Sequence, residues 1–163
     1  MMEGGLQHEA LKNFQKAISL DPHNSDLLDK MASLTKDMGF VDEALSLYDQ
    51  AISNDPKFSR TYYNIGVIYQ TQKKHLKAIE LFTKAIDAES EMWEEWLNYD
   101  LKARSLLGQS TFDSLINRSF ALRNIGKEIE SLNDLKYAAQ LGCEHAIKLY
   151  RHYHVLPLNL ENQ

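Results

Sequence analysis

Residues 77–86 read Lys-Ala-Ile-Glu-Leu-Phe-Thr-Lys-Ala-Ile, and a similar order of small, aromatic and aliphatic residues occurs earlier in the chain. Counting back from Phe82, an aromatic residue stands 34 positions before it, and another stands 34 positions before that. Two alanines accompany each aromatic residue, so the three copies are Ala10, Phe14 and Ala17, then Ala44, Tyr48 and Ala51, then Ala78, Phe82 and Ala85. Several positions that recur at one period of this length indicate a repeat protein.

Stacked helical hairpins account for this repeat. Within each copy the apolar residues fall at helical spacing over segments of about 13 residues. Gly39 and the Asp-Pro pairs at 21–22 and 55–56 separate these segments, whereas the third copy has Ser90 in place of the proline. The small residues let two helix backbones approach closely, and the aromatic residue fills the gap between hairpins. We therefore predict an all-α protein of about nine helices.

The pattern resembles the tetratricopeptide repeat family, whose unit has two antiparallel helices, called here the first and the second. The first helices carry the family's large, large, small and aromatic positions as Leu28, Met31, Ala32 and Thr35 in one copy, and as Tyr62, Ile65, Gly66 and Tyr69 in the next. The resemblance implies a right-handed superhelical solenoid of antiparallel helical hairpins. It also implies a protein that holds another protein or a peptide in a groove.

The chain is predicted to form a single solenoid over residues 1–163. Its divisions are a half repeat over 1–24, repeats over 25–58 and 59–92, a degenerate or extra helix over 93–111, a repeat over 112–145, and a capping helix with a tail over 146–163. The segment from 110 to 141 fits a fresh hairpin, with Ser119 at the small position and Gly126 in the turn. The helix from about 91 to 107 is then either an inserted helix or half of a degenerate repeat.

The N-terminal edge of the predicted stack is open. Gly4 and Gly5 fit a turn between two helices of a unit whose first helix is missing, so the helix from 7 to 20 lacks its partner. The apolar residues Leu11, Phe14 and Ile18 would then face something that this chain does not provide. We expect either protein upstream of this segment or a second subunit to cover the edge.

The resemblance also assigns candidate ligand-binding residues. In the family the first helices line the concave face, and ligands contact the second, fifth, sixth, ninth and twelfth places of each unit. Those places carry Asp26, Asp29, Lys30, Ser33 and Lys36 in the first complete unit, and Arg60, Tyr63, Asn64, Val67 and Gln70 in the next. Tyr63 offers a flat amphipathic surface, and Asn64 can pair with the backbone of an extended peptide. The alternative is that these polar residues only solvate the inner face.

One known ligand class of the family is not expected here. Members that bind the carboxylate-bearing tail of heat-shock chaperones need Lys and Asn in one unit, Asn in the next, then Lys and Arg. Asn64 matches the middle Asn, but the unit before it offers Asp29 and Ser33, and the helix after it offers Glu94 and Asn98. Two acids in place of cations would repel a terminal carboxylate.

Trp93 and Trp96, together with Met92, stand where the repeat breaks. Their helical spacing puts the two tryptophans on one helix face, which fits burial in the core. The alternative interpretation is a patch that binds a partner protein.

Composition and motifs exclude several other function classes. The net charge of −5 argues against nucleic acid or an anionic membrane surface as the main partner. The single cysteine, Cys143, indicates a reducing compartment, and the cytoplasm is the default. His152 and His154 are two apart on a helix and diverge too far to share a metal ion, so we expect no metal site. No phosphate-binding loop or nucleophile elbow is present in the sequence, and we predict neither a cofactor nor an enzyme.

The sequence thus favours a scaffold or adaptor module that binds a protein or peptide partner on its concave face. Two alternatives stay open. One is a self-assembly module that forms a homo-oligomer through the edge at Leu11, Phe14 and Ile18, and the other is a regulatory piece of a larger protein.

Overall fold

The computed structural model describes residues 3–97 and 109–154, with side-chain surroundings described for 5–89 and 109–154. The helices are α1 (Glu3–Leu20), α2 (Ser25–Asp37), α3 (Val41–Asn54), α4 (Ser59–Thr71), α5 (His75–Leu97), α6 (Gln109–Asn124), α7 (Glu128–Gln140) and α8 (Glu144–His154). These are eight helices without a strand in the described ranges, against the nine or so expected. The predicted all-α solenoid is confirmed.

The helices pack as consecutive hairpins. The hairpins are formed by α2 with α3, by α4 with α5, and by α6 with α7. At the two ends, α1 packs on α2 and α8 packs on α7. The first helices also touch one another, because α4 contacts both α2 and α6. In the described part of the chain the second helices α3, α5 and α7 have no comparable mutual packing. The face formed by α2, α4 and α6 is therefore the tighter, concave one, and it is called here the inner face.

The core is built on the repeated small and aromatic positions. The side chains at these positions in the two complete units are fully buried, namely Ala44, Tyr48, Ala51, Ala78, Phe82 and Ala85. Three further buried residues, Ser131, Leu135 and Ala138, continue the series 53 residues after Ala78, Phe82 and Ala85. The period of 34 thus resumes after 19 additional residues, and the hairpin of α6 and α7 continues the stack because α6 packs directly on α5 and α4.

The helix α5 is longer than the sequence pattern suggests. It runs without a break from His75 to Leu97, whereas α3 ends at Asn54, just before an Asp-Pro pair. Ser90 can donate its backbone N–H to the helix and proline cannot, so nothing forces α5 to end at this point. The rest of the helix predicted over 91–107 and the side chains of Met92, Trp93 and Trp96 lie outside what the structure describes.

The start of α1 also differs from the expectation. The sequence predicts a turn at Gly4 and Gly5, but both residues lie in the first helical turn of α1, which begins at Glu3. Helix interiors disfavour glycine by about 1 kcal/mol. The first turn is less restrictive, because its N–H groups have no intrahelical partner in any case.

Close approach of two helices is clearest at Gly66. A Cβ atom built on Gly66 would lie 2.7 Å from Cε1 of Phe82, well inside van der Waals contact. The small position of α4 therefore receives the aromatic ring of α5, as the repeat pattern predicts.

Candidate functional site

The inner face brings together residues from α2 and α4 that are more than thirty positions apart in sequence. Asn24 caps α2 by accepting the backbone N–H of Leu27 over 3.0 Å. This cap starts the helix so that Asp26 and Asp29 both point toward α4. Arg60, the second residue of α4, donates from Nε to Asp29 Oδ2 over 2.8 Å and from its terminal nitrogen Nη2 to Asp26 Oδ1 over 2.6 Å.

Asp29 is the buried centre of this arrangement, with only 2% of its surface exposed. Besides the bond from Arg60, its Oδ1 accepts the hydroxyl of Thr61 at 2.8 Å and the amide nitrogen of Asn64 at 3.0 Å. A buried carboxylate is tolerated when its lone pairs are filled in this way. The sequence predicts that Asp29 contacts a ligand, but it lies beneath the surface and instead orients Arg60 and Asn64.

The orientation of Asn64 follows from its neighbour. Since the Asp29 carboxylate can only accept, the Asn64 amide must turn its nitrogen toward Asp29. The same nitrogen lies 3.5 Å from Ser33 Oγ, and that hydroxyl shares a 2.9 Å hydrogen bond with the Tyr48 hydroxyl. The amide oxygen of Asn64 receives no hydrogen bond from the residues that the structure describes.

Tyr63 and Val67 are half-buried. Both pack on a cluster formed by Ala78, Phe82 and Ala121, and the Tyr63 and Phe82 rings lie 5.9 Å apart between centroids. Burial raises the pKa of the Tyr63 phenol above its usual 10.0, and the negative charge of Asp113 raises it further. Tyr63 therefore forms part of the wall between α4 and α6 and keeps a partly exposed edge.

The remaining predicted residues stand at the borders of the inner face. Lys30 forms a 2.6 Å salt bridge with Asp26, and about half of each side chain is exposed to solvent. Hydrogen bonds from Lys30 and then from Arg60 lower the pKa of Asp26 below its usual 3.8. Lys36 pairs with Asp37 over 3.3 Å, and Gln70 is half-buried near the end of α4.

The structure adds residues of α6 that the sequence pattern did not single out. Asp113 and Asn117 occupy the second and sixth places of the unit at 112–145, equivalent to Arg60 and Asn64. Asn117 Nδ2 donates to the backbone oxygen of Asp113 over 2.8 Å. The turn glycine Gly126 marks this register in the sequence and could have identified both. The side chains of Glu94 and Asn98, expected to follow those of α4, lie outside the described residues.

The predicted self-association edge lies on α1, where Leu11, Phe14 and Ile18 are all half-buried. Phe14 is partly exposed, although the equivalent Tyr48 and Phe82 are fully buried. Leu6, one turn before Ala10, is 69% exposed. In the described part of the chain the main cover of this edge comes from α2.

Metal binding and membrane insertion find no support in the described residues. Among them, no three His, Cys, Asp or Glu side chains come close enough together to hold a metal ion. The described helices include none with the length and apolar character needed to cross a membrane.

Hairpins that stack with a period of 34 residues and present their first helices on one concave face define a helical-repeat solenoid. The sequence profile of the tetratricopeptide repeat matches residues 59–91, which span α4 and most of α5. Residues 59–91 therefore form a tetratricopeptide repeat, and the whole described fold is that of a tetratricopeptide-like solenoid.

Similar proteins agree with this fold. The photosystem I assembly protein Ycf3 of Prochlorococcus marinus is 30% identical over 99 residues, which cover 50% of this chain and 57% of the relative. The protein O-mannosyl-transferase TMTC3 of Homo sapiens is 28% identical over 99 residues, 60% of this chain and 11% of that protein. The match thus spans little more than half of one relative and a small part of the other. The solved structure of Pseudomonas aeruginosa pilF superposes with a TM-score of 0.66 at 15% identity, covering 94% of this chain and 65% of that one.

Proposed function

We propose that this chain is a non-catalytic scaffold or adaptor, acting in the cytoplasm, that binds an extended segment of a partner protein on its inner face. The repeat fold serves protein–protein interaction in general. Ycf3 is named as an assembly protein, which is in keeping with a scaffold role. The transferase named among the relatives is matched over only 11% of its length, so its activity is not carried over to this chain.

The observation that carries the proposal is the orientation of Asn64. Its nitrogen is held by Asp29, and its amide oxygen is left without a hydrogen-bond donor in the described structure. An extended peptide presents backbone N–H groups at regular intervals, and one of them can donate to this oxygen. Because the Asp29 network fixes the amide in advance, binding loses little side-chain entropy.

The charges around Asn64 indicate which peptides fit. Arg60 and Lys30 both pair with Asp26, so the cations at this border are already neutralised by acids of the same face. A free terminal carboxylate would have to compete with Asp26 and Asp29 for these cations. We therefore propose an internal peptide segment rather than a carboxylate-bearing chaperone tail as the ligand.

Selection from a displayed library of random peptides, followed by calorimetric titration, tests this proposal. Asn64→Ala should weaken binding of the selected peptides by about fivefold to thirtyfold, the value of one buried hydrogen bond. Asn13→Ala, which removes an exposed amide on α1, is the matched control and should leave the affinity within about twofold. Peptides that bind Asn64→Ala as tightly as the unaltered protein would contradict the proposal.

A second candidate function is self-association through α1. It is supported by the partial exposure of Ala10, Phe14 and Ala17, whose equivalents in both complete units are fully buried. Light scattering over a wide concentration range tests it, with Phe14→Asp as the variant that should abolish any dimer. A constant monomer mass would exclude this candidate and leave the edge to a different protein or to the rest of a longer chain.

A further inference from the structure

The turn between α4 and α5 has the same backbone geometry as two other turns of the solenoid, but a different residue at its apex. Gly39 and Gly126 have φ angles of 92° and 79°, and Lys73 at the equivalent place has φ of 59°. The hydrogen bonds are also equivalent, since Lys73 N–H donates to the Gln70 carbonyl over 2.9 Å as Gly39 N–H does to Lys36.

A lysine at this apex is strained. The left-handed region costs a residue with a Cβ atom about 1 kcal/mol relative to glycine. Because glycine forms the same turn at Gly39 and at Gly126, the turn itself does not require a side chain here. The exposed side chain of Lys73 is therefore kept at some cost in stability. This indicates that the side chain has a role other than supporting the fold.

Two more lysines surround the same turn and are arranged by one aromatic ring. The ammonium of Lys77 lies 4.6 Å from the centroid of the Tyr69 ring, and that of Lys74 lies 5.5 Å from it. Lys77 Nζ also lies 3.4 Å from the Tyr69 hydroxyl. The ring thus holds two positive charges close to each other, on either side of Leu76 in sequence.

Leu76 is the apolar part of this surface. It is 73% exposed at the second position of α5, where the equivalent residue of α3 is Asp42. Tyr69, Lys73, Lys74, Leu76 and Lys77 are called here the α4–α5 turn patch. Together they combine an uncovered leucine with three lysines that form no salt bridge to any residue the structure describes.

The acid nearest to the turn patch in sequence does not neutralise it. Glu80, one turn after Lys77 on α5, forms its salt bridge with Lys84 over 2.8 Å. The charge of Lys77 contributes less than Lys84 does to lowering the Glu80 pKa. In a chain of net charge −5, three unpaired lysines within five positions form a local positive region. Such a region attracts an acidic partner by charge complementarity.

We propose that the α4–α5 turn patch docks an acidic protein segment that carries an apolar side chain. Carboxylates of the partner pair with Lys73, Lys74 and Lys77, and the apolar side chain covers Leu76. A protein segment fits better than an anionic bilayer, because the equivalent turns carry acids such as Asp42 and Glu128 that a flat anionic surface would also meet. The patch is centred on the α4–α5 turn, whereas the inner-face site is centred on Asn64 between α2 and α4.

Fluorescence anisotropy with a labelled synthetic peptide of sequence Glu-Asp-Leu-Glu-Glu-Leu-Asp-Glu tests this docking surface. The triple variant K73E/K74E/K77E should weaken binding by at least about tenfold, and Leu76→Ser by about threefold to tenfold. The matched control K12E/K16E/K148E makes the same change in net charge on exposed lysines of α1 and α8, and it should have less than about a threefold effect. Asn64→Ala should leave this peptide's affinity unchanged, so the result is independent of the inner face.

Three outcomes would overturn the proposal that the α4–α5 turn patch docks an acidic protein segment. One is equal weakening in the matched control, which would mean attraction by overall charge alone. Another is absence of binding up to about 1 mM peptide. The third is lysine-dependent binding to vesicles of phosphatidylserine and phosphatidylcholine without binding of the peptide, which would assign the patch to a membrane surface.

Discussion

Arg60 Nε donates a hydrogen bond to Asp29 Oδ2 over 2.8 Å and thereby ties α4 to α2 beneath the inner face. Asp29→Ala removes the common acceptor of Arg60, Thr61 and Asn64, and it leaves the fully buried Thr61 hydroxyl without its partner. We predict that it lowers the free energy of unfolding by about 2 kcal/mol, measured by urea denaturation.

Asp26→Ala is the control for that prediction, because Asp26 binds the same arginine at a half-exposed position. Exposed ion pairs contribute at most about 1 kcal/mol, so the loss should be clearly smaller than for Asp29→Ala. Equal losses in the two variants would show that burial of Asp29 has no special part in joining α2 to α4.

The ion pairs of Asp26 with Lys30 and Arg60 should make the free energy of unfolding depend on pH in acidic solution. Hydrogen bonds from Lys30 and Arg60 lower the pKa of Asp26 below its usual 3.8, so its contribution is complete above that pH. It is lost as the pH falls further, through the lowered pKa of the folded state. Melting curves should therefore show a gap in Tm between the unaltered protein and Asp26→Asn that is constant from about pH 7 to about 4 and narrows below. A gap that stays constant down to about pH 2 would contradict this assignment.

The contact between Gly66 and Phe82 predicts a strong effect of a single methyl group. Gly66→Ala would place a Cβ atom 2.7 Å from the Phe82 ring, so the two helices must move apart. We expect a loss of about 1–3 kcal/mol in unfolding free energy, measured by urea denaturation.

Gly5→Ala is the matched control for Gly66→Ala, because no atom lies within 4 Å of the place that the new methyl group would take on α1. Helix propensity alone should then stabilise the protein by up to about 1 kcal/mol. Similar losses at both glycines would mean that close packing is not the cause.

Lys73, whose backbone lies in the left-handed region, gives a prediction of the opposite sign, because its replacement should stabilise the protein. Lys73→Gly should raise the free energy of unfolding by about 0.5–1 kcal/mol, because relief of backbone strain exceeds the added freedom of the unfolded chain. At the equivalent turn, Gly39→Ala should lower it by about 1 kcal/mol, since open space surrounds Gly39 and only its φ of 92° opposes the side chain. A stability loss in Lys73→Gly would show that the lysine supports the fold itself.

The repeat period was sufficient to predict the all-α solenoid and the alternation of small and aromatic core positions. The extension of α5 to Leu97 was not predictable in the same way, because a serine at position 90 permits a helix to continue without requiring it. The register of α6 relative to α4 depended on recognising Gly126 as the equivalent of Gly39 across the additional residues.

The inner face was predictable only as a set of positions. Sequence places Asp29 and Asn64 on first helices, but their roles depend on which polar groups meet across the helix interface. Arg60 and Thr61 reach Asp29 from the neighbouring helix and bury it, whereas Asn64 keeps an unused amide oxygen in the described structure. Pairings of this kind arise from tertiary packing and have no signature in the repeat period.

The most direct test of peptide binding on the inner face is an NMR titration of the isotopically labelled protein with a peptide selected from the displayed library. We predict that backbone amides of α2 and α4, and the side-chain amide of Asn64, shift progressively and saturate together. Shifts confined to α1, α8 or the outer faces of α3 and α5, with the Asn64 amide unmoved, would contradict peptide binding at this face.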